Sequence, residues 1–251
     1  MMKTLTAAVA FAAVLAGPAA AFDPENMTDA ERSAFRAEVR AYLMDNPEVL
    51  MEAIGVLEQR EAETQAQADQ NLVSSNMDAL VDDGFSWVGG NPDGDITIVE
   101  FMDYRCGYCR RAYPEVEELI EADGNIRLIV KEFPILGEGS TLSSQFAIAV
   151  RQLHGDDEYE AVHEALINMR GDATEESLSR MAETFGYDAD AILEQMNSDE
   201  VAAEIAETRA LAQRLQITGT PTFVMADQMI RGYLPLEQME GIVDSVRADR
   251  G

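Results

Sequence analysis

Apolar residues recur at helical spacing in the first part of the chain, which predicts a helical arm over residues 22–84. Thr28 suits the cap of a first helix, and Asn46 followed by Pro47 suits the start of a second. After both helices, residues 61–71 offer only alanines as apolar residues among polar side chains, so that stretch is predicted to be either a solvent-exposed helix or a linker. The apolar positions of the arm include Val39, Leu43, Leu50, Ile54 and Leu57.

The pattern changes to α/β beyond residue 85. A β-branched run, a helix and a second apolar run follow one another, and this order favours a parallel pair of strands. About 75 residues of helical periodicity then separate this unit from two short strands and a closing helix. The predicted strands are residues 96–101, 126–130, 222–225 and 229–231, and the predicted helices are residues 109–121 and 236–246, with an insertion at about 139–215.

The first 21 residues have the composition of a cleaved signal peptide. Lys3 supplies a positive charge, residues 7–16 are apolar, and the small residues 19–21 form a cleavage site. The apolar run is too short to span a bilayer. The sequence therefore predicts export to a bacterial periplasm, a compartment in which disulfide chemistry is permitted.

The charge balance excludes several classes of protein. Among 251 residues, 47 are acidic and 18 basic, for a formal net charge of −29. An acid excess of this size argues against binding to nucleic acid and against docking on anionic lipid, because both need a basic surface. The two cysteines cannot build a scaffold of several disulfides.

Those two cysteines, Cys106 and Cys109, stand where the first predicted strand meets the following helix. A thiol at a helix N-terminus faces unpaired backbone N–H groups, which favour the thiolate. We therefore predict that Cys106 is the attacking thiolate and Cys109 the resolving thiol. Three neighbouring arginines predict a cationic pocket around the pair, namely Arg105, Arg110 and Arg111.

Two other interpretations of the cysteine pair remain open. A structural disulfide would close a very short loop and remove little chain entropy. A chaperone or copper- or zinc-handling module would need further ligands. His154 and His163 are the only histidines, and we expect both to be polar surface residues of the insertion. The arm itself, as an assembly module, is a third candidate for the functional part.

Three segments, in order, resemble the DsbA family of thioredoxin-fold oxidoreductases. Residues 98–109 resemble that family's active-site strand and CxxC motif, residues 131–137 its second strand and following loop, and residues 217–223 its cis-proline loop. The resemblance implies a thioredoxin fold over residues 85–251, with a helical insertion between the second strand and the cis-proline strand. It also implies a protein thiol:disulfide oxidoreductase with no cofactor beyond its redox-active disulfide.

The resemblance also implies roles for individual residues. Pro221 would follow a cis peptide bond and leave the backbone of Thr220 free to pair with a substrate. Glu100 would lie beneath Cys109 and exchange the proton of its thiol. Lys131 would pair with Glu100.

Within the family, the arm, the Gly107-Tyr108 dipeptide and Thr220 before Pro221 together resemble the ScsC-type members. That resemblance implies a homo-oligomer formed through the arm, with isomerase or reductase activity on cysteines of exported proteins. A membrane redox partner of the DsbB or DsbD kind is implied as well. The competing hypothesis is a monomeric oxidase whose arm packs on its own domain. Strongly oxidising members carry histidine at the position of Tyr108. The resemblance therefore does not imply a comparably oxidising redox potential for this chain.

Overall fold

The structure is a computed structural model that describes residues 26–250, so the expected signal peptide lies outside the described residues. The chain divides into two compact units, the first ending at Gln59 and the second beginning at Arg60. Within the described residues, no helix is both long and apolar enough to cross a membrane.

The first helix, α1, covers Asp29–Asp45. Thr28 caps it as predicted, because the Glu31 N–H donates to the threonine Oγ1 at 3.3 Å and the Glu31 carboxylate accepts the Thr28 N–H at 2.8 Å. Asn46 instead closes α1, where its side-chain amide donates to the Tyr42 carbonyl at 2.8 Å. The predicted role of Asn46 as the cap of the next helix is therefore wrong.

The next helix, α2, covers Glu48–Ser75, and a short α3 covers Met77–Val81. The polar stretch within α2 is helical throughout, so the linker alternative is wrong. Val73 and Leu80 are fully buried, and they pack with apolar residues of the sheet in the second unit. The second unit therefore includes the residues that lead up to the sheet.

The second unit is built on a five-stranded sheet in the order β1-β3-β2-β4-β5. Strands β2 and β3 pair in parallel, as predicted, and the other three pairings are antiparallel. The edge strand β1 was not predicted, because its two glycines resemble a turn. The strands are β1 Trp87–Gly90, β2 Ile96–Met102, β3 Ile126–Glu132, β4 Thr222–Met225 and β5 Gln228–Arg231.

Seven helices accompany the sheet. The first connects β2 to β3, five fill the predicted insertion between β3 and β4, and the last closes the chain. They are α4 Gly107–Asp123, α5 Glu138–His154, α6 Asp156–Ile167, α7 Glu175–Phe185, α8 Ala189–Met196, α9 Asp199–Arg214 and α10 Leu236–Arg250.

The single tryptophan joins β1 to the insertion. The ring of Trp87 covers Gly89 so closely that a Cβ there would lie 2.1 Å from a ring carbon, which requires glycine. Its Nε1 donates to the Asp156 carbonyl at 3.1 Å, and the ring stacks on Tyr159 with centroids 5.4 Å apart. The ring of Trp87 also stacks on that of His163, with centroids 6.3 Å apart.

Alternation along the central strands separates the residues of the two faces of the sheet. Ile98 and Met102 pack in the core with α4, whereas Val99 and Phe101 pack with α3 and α9. By the same alternation Glu100 faces α4. On β3, Lys131 pairs in register with Phe101 and faces the opposite side.

Lys131 is consequently paired with Asp83, and the expected Lys131–Glu100 pair is wrong. The fully buried Nζ donates to the Ala79 carbonyl at 3.0 Å and to the Asp83 carboxylate. Burial lowers the pKa of Lys131, and Asp83 offsets only part of that effect. For Asp83, burial opposes the change, but hydrogen bonds from Lys131 and Ser86 hold the pKa below its usual range.

This pair predicts a stability change. Asp83→Asn keeps an oxygen for the N–H groups of Phe85 and Ser86 but leaves the Lys131 ammonium buried without its counter-charge. We expect the free energy of unfolding to fall by about 3 kcal/mol in urea titrations. The neighbouring Asp82 is exposed, and Asp82→Asn serves as the matched control. Equal stability of the two variants would contradict the role of the buried pair.

Candidate active site at the start of helix α4

Cys106 occupies the N-cap position of α4, directly after the turn that follows β2. Its N–H donates to the Asp103 carbonyl at 3.0 Å, and its carbonyl accepts the Arg110 N–H at 3.1 Å. Both cysteines are free thiols. Cys106 is 7% exposed and Cys109 only 1%, so Cys106 is the more accessible of the two sulfurs.

The two thiols have opposite acidities. The pKa of Cys106 is lowered to about 5, first by the hydrogen bond from the Cys109 thiol and then, against the effect of burial, by Thr220 and the N–H groups of Cys109 and Tyr108. The pKa of Cys109 is raised, because its proton is held by Cys106, its sulfur is buried, and Glu100 lies nearby. One thiolate and one thiol therefore coexist at neutral pH.

The expected cationic pocket is wrong as an explanation of this acidity. Arg105 binds the Asp172 carboxylate at 2.9 Å, and the Arg110 Nε donates to the Tyr104 carbonyl at 2.8 Å. The guanidinium of Arg111 lies 4.3 Å from the centre of the Tyr233 ring. Each arginine thus has another partner, and hydrogen bonds to the sulfur account for the thiolate.

The loop before β4 completes the site. The peptide bond between Thr220 and Pro221 is cis, as the sequence resemblance implied. The Cys106 Sγ lies 3.1 Å from the Thr220 carbonyl oxygen, to which the thiol form donates. The order of elements thus brings residues 106 and 220 into contact, although 114 positions separate them.

Glu100 lies on the α4 face of β2 and is buried. Its pKa is raised to about 8, first by burial and then by the negative charges of Cys106, Glu117 and Glu132. Glu100 in turn contributes to the raised pKa of Cys109. Glu100 and the cysteine pair therefore influence each other electrostatically, whereas the exchange of a proton between Glu100 and Cys109 stays a prediction.

Sequence reasoning missed a buried polar network beside the motif. The Glu132 carboxylate accepts the hydroxyls of Tyr104 and Tyr159, each at 2.7 Å, and that of Ser144 at 2.6 Å. Burial raises the Glu132 pKa to about 7, although these hydrogen bonds oppose it. An available signal was the alternation along β3, which places Glu132 on the same face as the apolar Ile126, Leu128 and Val130.

His163 is also buried, so its predicted surface position is wrong; His154 is exposed as expected. The Nδ1 atom of His163 lies 2.9 Å from the Tyr104 hydroxyl oxygen. Burial lowers the pKa of His163 to about 4, so the ring is neutral. His163 follows the buried Tyr159 by one helical turn, a spacing that places both on one face of α6.

Exposed apolar side chains occur between the two cysteines and in the loop after β3. Tyr108, between the cysteines, is exposed and stacks on Tyr233 with centroids 6.4 Å apart. Ile135 and Leu136, in the loop after β3, are exposed as well. Among residues 26–250, no group of three or more His, Cys, Asp or Glu side chains could hold a metal ion.

Two family models match the chain. Residues 97–244, more than half of the chain, match the DsbA-like thioredoxin domain. Residues 31–63 match the N-terminal domain of the copper resistance protein ScsC. The matched ranges correspond to the sheet with its insertion and to the helices that precede it.

Solved structures of thioredoxin-like proteins and of ScsC are similar to this chain as well. A thioredoxin-like oxidoreductase from Silicibacter pomeroyi DSS-3 is 45% identical, covers 68% of this chain and 97% of its own, and has a TM-score of 0.64. Proteus mirabilis ScsC in a transitional conformation is 28% identical over 90% of this chain and all of its own, with a TM-score of 0.64. A periplasmic thioredoxin-like protein from Salmonella enterica serovar Typhimurium is 26% identical. The match covers 67% of this chain and 94% of that protein, with a TM-score of 0.60.

Among curated proteins, the Na(+)/H(+) antiporter NhaA 1 of Salinispora arenicola is 28% identical over 169 residues. The match spans 67% of this chain but only about a quarter, 26%, of the antiporter. The similarity to the antiporter is therefore confined to one part of that longer protein. From the matched domain, the sheet with its helical insertion and the CxxC pair at the start of α4, the chain belongs to the family of DsbA-like thioredoxin domains.

Proposed function

We propose that this chain is a periplasmic protein thiol:disulfide oxidoreductase that acts on cysteines of exported proteins. The observation that carries the proposal is the opposite acidity of the two thiols, with Cys106 as the accessible thiolate and Cys109 as the buried thiol. A thiolate is the species that attacks a disulfide. Family membership and the neighbouring Thr220–Pro221 loop support the same chemistry.

In the reducing direction, the Cys106 thiolate attacks one sulfur of a substrate disulfide, and the other substrate sulfur leaves as a thiolate. Cys109 then loses its proton and attacks the Cys106 sulfur of this mixed disulfide. The second substrate sulfur leaves, the Cys106–Cys109 disulfide forms, and two electrons have passed to the substrate. In isomerisation, a substrate thiolate instead attacks the substrate sulfur of the mixed disulfide. A new disulfide forms within the substrate, and Cys106 leaves as the thiolate with Cys109 still a thiol.

Glu100 is proposed to accept the Cys109 proton. While Cys106 is a thiolate, its charge helps to keep the Glu100 pKa near 8. Formation of the mixed disulfide removes that charge, and the Glu100 pKa falls. At neutral pH a larger fraction of the carboxyl is then ionised, and so able to accept a proton, at the step in which Cys109 has to lose one.

The first prediction from the proposed chemistry concerns the acidity of Cys106. Cys109→Ala removes the S–H donor that contributes most to the low pKa, whereas Cys109→Ser keeps a hydroxyl donor at the same place. We expect the pKa of Cys106 to rise from about 5 toward its ordinary range in the alanine variant only. Near pH 6, alkylation by iodoacetamide should then be about tenfold slower in the alanine variant than in the serine variant.

Thiolate absorbance in the near ultraviolet, followed against pH, gives an independent measure in both variants. If Cys109 proved to be the first thiol alkylated in the wild-type protein, the assigned roles of the two cysteines would be wrong.

The second prediction concerns Glu100→Gln, which cannot accept a proton. We expect mixed disulfides with a substrate protein to persist about tenfold longer in this variant, as seen by acid quenching and gel electrophoresis. Glu204→Gln replaces a half-buried carboxyl on α9, which pairs with Arg151 outside the site, and should leave that lifetime unchanged.

The same variant has a distinct effect on stability. The folded-state pKa of Glu100, about 8, lies above the value of 4.5 for an ordinary glutamate, so the folded protein retains a proton that the unfolded chain releases. The contribution of this carboxyl to stability is complete below pH 4.5 and is lost as the pH rises to about 8. Glu100→Gln should therefore flatten the fall in stability over that interval, and an unchanged pH profile would contradict the raised pKa.

We further propose that the arm assembles the chain into a homo-oligomer with isomerase or reductase activity. None of the side chains from Asp29 to Gln59 is buried. Apolar residues of these helices remain exposed at 40% for Val39, 47% for Leu50 and Ile54, and 56% for Leu57. Copies of the same arm would bury this surface and place several Cys106 thiolates around one substrate.

The cellular setting is part of the proposal. The signal-like first 21 residues and the similarity to a periplasmic thioredoxin-like protein support export. A membrane protein of the DsbD kind would return electrons to the disulfide form, whereas one of the DsbB kind would withdraw them. An isomerase requires the former, and the competing monomeric oxidase requires the latter.

The third prediction tests the arm in the full mature chain. Ile54→Asp places a charge in the exposed apolar surface of α2 and should convert the oligomer to a monomer in light-scattering measurements. Leu153→Asp, on an exposed leucine of α5, is the matched control and should not change the mass. The Ile54 variant should also lose most of its ability to recover a scrambled ribonuclease. A monomeric wild-type chain would overturn the assembly and favour the oxidase.

A further inference from the structure

Asp103 is a buried carboxylate that the proposed chemistry does not use. It directly follows the last residue of β2, three positions before Cys106, and is 0% exposed. None of the ion pairs among residues 26–250 includes it. Buried carboxyl oxygens without a cationic partner require other hydrogen-bond donors, and backbone N–H groups supply them here.

The two carboxylate oxygens of Asp103 bind different loops. Oδ1 accepts the N–H of Arg105 at 2.8 Å, within the turn that leads to the nucleophile. Oδ2 accepts the N–H groups of Ile135 at 2.8 Å and Leu136 at 3.1 Å, in the loop after β3. The main-chain carbonyl of Asp103 also accepts the Cys106 N–H. One residue thus connects the CxxC turn to the neighbouring loop.

The loop that Asp103 holds has an exposed apolar edge. Ile135 and Leu136 keep their backbones tied to the carboxylate while their side chains remain exposed, Leu136 at 53%. Leu136 and Arg105 together line an open groove of about 640 Å³ between this loop and the start of α7. The position of that edge relative to Cys106 therefore depends on both oxygens of Asp103.

We propose that Asp103 is a positioning residue for protein substrates. It holds the Ile135–Leu136 edge beside the CxxC turn, so that a polypeptide lying on this edge presents its disulfide to Cys106. The inference rests on the proposed oxidoreductase function and adds the residue that fixes the loop after β3 beside the CxxC turn. It also explains the residue type, because aspartate offers two acceptor oxygens where asparagine offers one acceptor and one donor.

The test separates substrate docking from sulfur chemistry. Asp103→Asn is nearly isosteric but turns an N–H donor toward one of the two loops. Kinetics are measured with insulin, a disulfide-bonded protein, with dithiothreitol as reductant. The same variant is then reacted with hydroxyethyl disulfide, a small disulfide that carries no polypeptide chain to lie on the Ile135–Leu136 edge.

We expect KM for insulin to rise about tenfold, with kcat within about twofold of the wild type, because a docking contact is weakened and the chemical step is not. The rate with hydroxyethyl disulfide and the pKa of Cys106 should not change, since the Asp103 carboxylate is not among the groups that set that pKa. An unchanged KM, or an equal loss of rate on both disulfides, would overturn the proposal. A wild-type protein that reduced neither disulfide would instead refute the oxidoreductase function itself.

A second variant covers the case in which Asp103→Asn does not fold. Leu136→Ser changes an exposed side chain of the edge, and Leu153→Ser changes a similarly exposed leucine, at 45%, outside the groove. A rise in the KM for insulin in the first and not in the second supports the docking edge. Equal KM values in the two variants would contradict the proposed docking edge.

Discussion

The negative charge on Cys106 is the feature on which the other groups of the site depend. Hydrogen bonds from the Cys109 thiol, Thr220 and the first N–H groups of α4 stabilise it. The same charge raises the pKa values of Cys109 and Glu100. A change in the chemical state of one sulfur therefore alters the protonation of both neighbours.

The carboxyl ends of the parallel strands concentrate the polar groups that surround this charge. Asp103 follows β2, and Glu132 ends β3. Hydrogen bonds from N–H or O–H groups of other elements compensate for the burial of each carboxyl group. Those partners lie in the loop after β3 and on α5 and α6. The sheet thus supplies both the rigid support of the CxxC turn and its connection to the insertion.

Local features of the sequence predict much of this architecture. Periodicity locates β2, β3 and α4 to within a few residues, and the placement of Cys106 at a helix start follows from the strand that precedes it. The features that were not predicted depend on contacts distant in sequence. Lys131 meets Asp83 across 48 positions, and His163 meets Tyr104 across 59. Strand alternation together with the register of β2 and β3 excludes a Lys131–Glu100 pair, but neither identifies the partner that replaces Glu100.

The position of Trp87 has a practical consequence. It is the only indole in the chain, and its ring stacks on Tyr159 and His163 of the insertion. His163 also contacts Tyr104, which stands two residues before Cys106. The tryptophan fluorescence of the protein consequently originates from one chromophore at the junction of β1 and α6. Its emission reports on the packing of the insertion beside the CxxC turn without any added label.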